Sequence, residues 1–197
     1  MHDLSTARQP PLVSTSAVLS PLQPASRHVL RGGPQAMAAA SNALGLSIPQ
    51  TPCRALTHGD RSALWLGPDE RLLLAPVALG SEIAHLLEQA LRDTPHSLVD
   101  VSHRQTALEV SGPHSTAVLN AGCPLDLEPR AFPVGMCTRT VLAKAEIVLW
   151  RTGEDVFHLE VWRSFNTYVS SFLAEAAREY HIRHPMISGP PLPRRRA

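Results

Sequence analysis

The side chains here that could bind metal, carry protons or attack a substrate are three cysteines, ten histidines and seventeen carboxylates. Two of the cysteines, Cys123 and Cys137, flank the loop CPLDLEPRAFPVGMC, with His103 and His114 upstream. Structural zinc sites take ligands in closely spaced pairs, because one turn then presents both donors. Thirteen residues separate Cys123 from Cys137, Cys53 is remote, and no histidine lies close to either in sequence. The spacing reads as small apolar thiols packed in a core, not as a metal or redox pair.

Other catalytic patterns are incomplete. Ser102-His103 and Ser111 stand without a G-x-S-x-G elbow, and His103 is expected to cap a turn at a strand end. No two histidines fall at i, i+4 beside an acid, the spacing a helical zinc site uses. Gly32-Gly33 precedes a helix, but G-x-G-x-x-G is missing and Pro34 removes one amide, so the pair reads as a turn. Trp65, Trp150 and Trp162 fall on strands, where they serve as core residues or interface anchors. Arg139, Arg151 and Arg163 are expected as the charged groups of a partner surface. No residue is assigned a catalytic, cofactor-binding or metal-binding role.

Composition narrows the class. With 44% apolar and 18% charged residues the chain should be globular. A net charge of +1 and no basic stretch interleaved with aromatics argue against nucleic acid. The Arg194-Arg195-Arg196 run reads as a solvated tail. Prolines break the first residues before any apolar leader can form, and no apolar run approaches the roughly 20 residues a spanning helix needs. No membrane is expected, and the odd cysteine count fits a reducing cytoplasm.

Positioning elements come from one pattern used twice. RGGPQAMAAASNALGL (31–46) parallels VSGPHSTAVLNAGCPL (110–125), each with Gly-Pro opening a helix. ALWLGPDERLLLAP (63–76) parallels IVLWRTGEDVFHLEV (147–161), each a hairpin with a Trp and an acidic turn. GSEIAHLLEQALRD (80–93) parallels RSFNTYVSSFLAEAARE (163–179), both amphipathic helices. The matches imply an offset of about 79 at the Gly-Pro pairs and 85 at the tryptophans. The expected class is α+β, with two pseudo-repeated βαβββα units and antiparallel sheets. The repeats span 28–93 and 97–180, between a Pro/Ser-rich arm (1–27) and a tail (181–197).

The second half carries a specific resemblance. SLVDVSHRQTALEVSGP, the C-P-L-D-L, R-A-F-P-V-G and C-T-R-T elements, and LAEAAREY are similar to the gamma-subunit family of heterotetrameric sarcosine oxidases. That family lies within the aminomethyl-folate-binding superfamily of the glycine cleavage T-protein. The resemblance implies part of a T-protein folate-domain fold and a non-catalytic subunit partnered by alpha, beta and delta, chiefly alpha. It places FAD, FMN, NAD, tetrahydrofolate and zinc in those other subunits. T-proteins carry a G-G-I-x-D-D turn before this hairpin. Counted back from Gly153-Glu154-Asp155, its acid pair falls on Ala145 and Glu146, with Leu142 to Lys144 in place of the glycines. Glu146 therefore reads as a solvent-facing strand charge. An equivalent subunit of an N-methylglutamate-type dehydrogenase is a second reading of the resemblance. A free-standing aminomethyltransferase is a third, disfavoured by length and by the altered turn.

Overall fold

A computed structural model describes residues 17–180. The elements in chain order are β1 (Val18–Pro21), β2 (Ala25–Gly32), α1 (Pro34–Leu44), β3 (Ala55–His58), β4 (Arg61–Gly67), β5 (Glu70–Pro76) and α2 (Gly80–Ala90). After these come β6 (His96–Asp100), β7 (Gln105–Ser111), α3 (Ser115–Asn120), β8 (Cys137–Leu142), β9 (Ala145–Gly153), β10 (Val156–Trp162) and α4 (Asn166–Arg178). The βαβββα order occurs twice, from β2 to α2 and from β7 to α4, as expected. One sheet runs β3-β4-β5-β2-β6 and the other β8-β9-β10-β7-β1, with every pair antiparallel.

Period-two alternation assigns the layers. On β5, Leu73 and Ala75 face α1 and α2, whereas Leu72 and Leu74 face the other sheet. On β9, Ile147 and Leu149 face α3 and α4, and Val148 faces the first sheet. The order is helices, sheet, sheet, helices. α1 starts where Gly33 stays extended and Pro34 takes the first helical position, and it stops at Gly45 in the left-handed region (φ 59°). Ile83 and Leu87 along α2 with Leu91 at its C-cap, like Val169, Leu173 and Ala177 along α4, form the buried stripe that holds each helix down.

Two boundaries differ from the sequence reading. Within the expected arm of 1–27, β1 and the start of β2 are sheet, and Arg27 is buried. Pro21 ends β1 on an edge, the position where a strand tolerates proline. Residues 1–16 and the tail, 181–197, lie outside the described residues. The second difference concerns β6. The expected second repeat, 97–180, takes in most of β6, which instead pairs with β2 of the first, while β1 lies ahead of the first repeat and pairs with β7 of the second. Each repeat thus lends its leading strand to the other.

Register also corrects the offsets. The Gly32 amide donates to the Asp69 carbonyl and the Gly112 amide to the Asp155 carbonyl, both at 2.9 Å. Each hairpin carries one bulged residue beside its turn, Leu66 and Thr152. These matches set the offset at 80 along β2 and β7 and at 86 through the hairpins and last helices, one more than the sequence matches gave. Trp65 corresponds to Arg151, and Trp150 to Leu64. A one-residue slip sends a side chain to the opposite face, so the two tryptophans are not equivalent: Trp150 packs between the sheets, and Trp65 points toward the helices.

Candidate functional site

The layer between the sheets is where polar side chains from both repeats meet. At one end, Arg27 on β2 donates from Nε and Nη2 to Glu160 on β10, at 2.6 and 3.1 Å. Glu160 is wholly buried and also lies 2.8 Å from His158 Nε2. The remaining Arg27 donors are used locally, Nη1 by the Ala25 carbonyl and the backbone amide by Ser102 Oγ, each at 2.9 Å. At the other end, Arg139 on β8 meets Glu70 on β5 at 2.7 Å, and Glu146 stands 3.7 Å from the same guanidinium. The hydrogen bond and charge of Glu70 hold the Arg139 pKa above its ordinary value. Leu64, Leu72, Leu74, Cys137 and Val148 fill the space between. This arrangement joins two sheets by a buried ion pair at one end and a partly exposed one at the other, around an apolar centre.

The sequence candidates are dispersed. Cys123 packs on the helix side of the second sheet and Cys137 on its opposite face, so the sheet itself separates them. Both are free thiols, as is Cys53. Burial pushes the Cys137 thiol up to about 12, and the thiol donates a hydrogen bond to the Trp65 carbonyl. Ser102 and His103 lie in the turn between β6 and β7, where the Ser102 amide donates to Asp100 Oδ1 at 2.8 Å. Ser111 is paired within the sheet, and His114 stacks on Tyr180 with ring centres 4.8 Å apart. Gly33 is the N-cap of α1. Ala145 is buried and Glu146 is exposed on β9.

Arg151 does not face a partner. It is 2% exposed and donates to the carbonyls of Leu127 (3.0 Å), Phe132 (2.9 Å), Gly153 and Glu154, with its guanidinium over Phe157. Arg71 does the same in the first repeat, donating to the carbonyls of Pro49 (2.7 Å) and Gly67 (2.6 Å) beside Trp65. The two hairpins therefore share one cross-strand arginine–aromatic pair with its members exchanged, Trp65–Arg71 and Arg151–Phe157. Arg139 is likewise an inter-sheet ion-pair residue, part exposed. Sequence reasoning missed Arg27, Arg71 and Glu160. Their signal was present as charges set inside apolar strands, in SRHVL, ERLLL and HLEVW.

Among the described residues no group of three or more His, Cys, Asp or Glu side chains is placed to hold a metal ion. No helix among them is long and apolar enough to cross a membrane. Residues 31–179 match the family described as sarcosine oxidase, gamma subunit. The chain belongs to that family. Its relatives include sarcosine oxidase subunit gamma from Corynebacterium sp. (strain P-1), 39% identical over 149 residues, which cover 75% of this chain and 72% of the relative. The Arthrobacter sp. subunit is 39% identical over 144 residues, 73% and 70% of the two chains. A chain of the heterotetrameric sarcosine oxidase from Corynebacterium sp. U-96, solved with pyrrole 2-carboxylate, superposes with a TM-score of 0.80 at 30% identity, covering 86% of this gamma-family chain and 87% of that one. The glycine cleavage aminomethyltransferase T from Bartonella henselae shares the fold at 16% identity and a TM-score of 0.64, covering 83% of this chain and 47% of the other.

Proposed function

We propose that this chain is the non-catalytic gamma subunit of a heterotetrameric sarcosine oxidase, bracing the subunit that carries the folate-type domain, alpha. The complex demethylates sarcosine with tetrahydrofolate and O2, giving glycine, 5,10-methylenetetrahydrofolate and H2O2. FAD, FMN, NAD, tetrahydrofolate and zinc belong to the alpha, beta and delta subunits, and the complex works in the cytoplasm. The observation that carries the reading is the superposition on an oxidase chain across nearly the full length of both.

The geometry supports the division of labour. A general acid or base must reach its substrate unencumbered. Glu146, the carboxylate at the T-protein acid position, is drawn to Arg139, which also holds Glu70. The layer between the sheets is occupied by apolar side chains and a doubly hydrogen-bonded Arg27–Glu160 pair, so it serves cohesion. The test is to express the alpha, beta and delta subunits with and without this chain. A lower yield and thermal stability of the oxidase without it are expected. Unchanged assembly, stability and turnover would remove the bracing role.

A further inference from the structure

We infer that Trp162, Phe165 and Tyr168 are the anchors by which this chain docks on a partner subunit, onto an apolar surface rimmed by carboxylates. The inference rests on the subunit reading and deepens it by naming the contact. Few residues of the chain are aromatic, 5% in all, yet three fall at every third position from the end of β10 into α4. That spacing through a 3₁₀ turn and the first helical turn puts them in one stripe. They are 40%, 41% and 39% exposed.

The internal repeat supplies the control. At an offset of 86 their counterparts are Pro76, Leu79 and Glu82, which form the same strand end, 3₁₀ turn and helix start without an aromatic ring. The fold does not require these rings. Large aromatics with arginine are the residues that carry binding energy at interfaces.

Charge selects the occupant. The Arg104 guanidinium lies over the Trp162 ring at 5.1 Å, and Arg163, next to Trp162 in the chain, donates its amide to the Arg104 carbonyl at 2.8 Å, so two exposed arginines accompany the stripe. Neither pairs with a carboxylate among the described residues. A two-fold contact of this stripe with the same stripe of a second copy would set arginine against arginine. The chain's own 181–197 segment would bring Arg183, Arg194, Arg195 and Arg196 to the same place. A partner surface with Asp and Glu around an apolar hollow satisfies both rings and cations.

The test co-expresses the variant chain with the other three oxidase subunits. Trp162→Ser/Tyr168→Ser and Arg104→Glu/Arg163→Glu should each weaken retention of this chain in the complex by about 100-fold or more, the scale of paired hot spots. Val77→Glu, on the equivalent turn of the first repeat, should leave retention unchanged. Hydroxyl-radical footprinting of the wild-type complex should show Trp162 and Tyr168 protected relative to the free chain, a readout independent of variant folding. Wild-type retention by both double variants, or equal footprints, overturns the inference while leaving the subunit reading intact. Protection already present in the free chain and lost on deleting 181–197, or on dissolving a dimer, also overturns it. Failure of the wild-type chain to co-purify with the other subunits overturns the subunit reading and the inference together.

Discussion

The Arg27–Glu160 pair offers a quantitative test of how the two sheets are joined. Both side chains are almost wholly buried, with 3% and 0% exposure, and they are doubly hydrogen-bonded at 2.6 and 3.1 Å. Glu160→Leu installs the residue that the first repeat uses at the equivalent place, Leu74, so the side-chain shape fits the layer. It leaves Arg27 buried without its counter-charge, which costs about 3–5 kcal/mol. At a urea slope of about 2 kcal/mol/M, the midpoint should fall by roughly 1.5–2.5 M. Arg27→Met should cost less, because His158 Nε2 remains 2.8 Å from the orphaned carboxylate. The double variant Arg27→Met/Glu160→Leu removes both charges and should return to within about 1 kcal/mol of wild type. Urea melts of the four purified chains followed by circular dichroism give the coupling directly. Costs that simply add in the double variant would refute the view that these residues act as one inter-sheet fastener.

Three further outcomes follow from the geometry. With its thiol pushed up to about 12 by burial, Cys137 should resist iodoacetamide in the native chain and react only on unfolding; mass spectrometry showing it alkylated before the half-buried Cys53 would contradict the packing described. His28 is held below its ordinary pKa, chiefly by burial and against the opposing charge of Asp100. Its neutral form stabilises the fold above about pH 6.5, and that contribution is lost as pH falls below it. His28→Leu, matching Leu108 of the second repeat, should flatten this slope in melts taken at stepped pH, and an unchanged slope would exclude His28 as its source. Glu146→Gln should shift stability by less than about 0.5 kcal/mol and leave methylenetetrahydrofolate yield in the assembled oxidase unchanged, whereas a hundredfold loss with flavin reduction intact would reveal a folate role for this chain.

The repeat, its element order and the burial of Cys123 and Cys137 were legible because they depend on local spacing and apolar periodicity. Register was not. Matching Trp65 to Trp150 by identity put both tryptophans one residue out, since only cross-strand hydrogen bonds distinguish the faces of a strand. The reading of Arg151 failed for a related reason. An isolated arginine is usually exposed, and nothing local announces the carbonyls of Leu127 and Phe132 that enclose it. Partners such as Glu160 for Arg27 are equally invisible, because they lie in different sheets. The strand within the Pro/Ser-rich start was masked by composition, β1 being only four residues long.

The exchanged leading strands have a consequence for the order in which the protein is made. The first sheet, β2 to β6, is complete in sequence once Asp100 has emerged, so it can form while the rest of the chain is still being synthesised. β1 emerges before all of it yet must wait, because its neighbour β7 and the hairpin beyond belong to the later half of the chain. Arg27 waits as well, for Glu160 near the final strand's end. Such distant pairings slow folding and leave an unpaired segment exposed meanwhile. A bulky fusion at the N-terminus would therefore tell most on the second repeat, at the opposite end of the sequence.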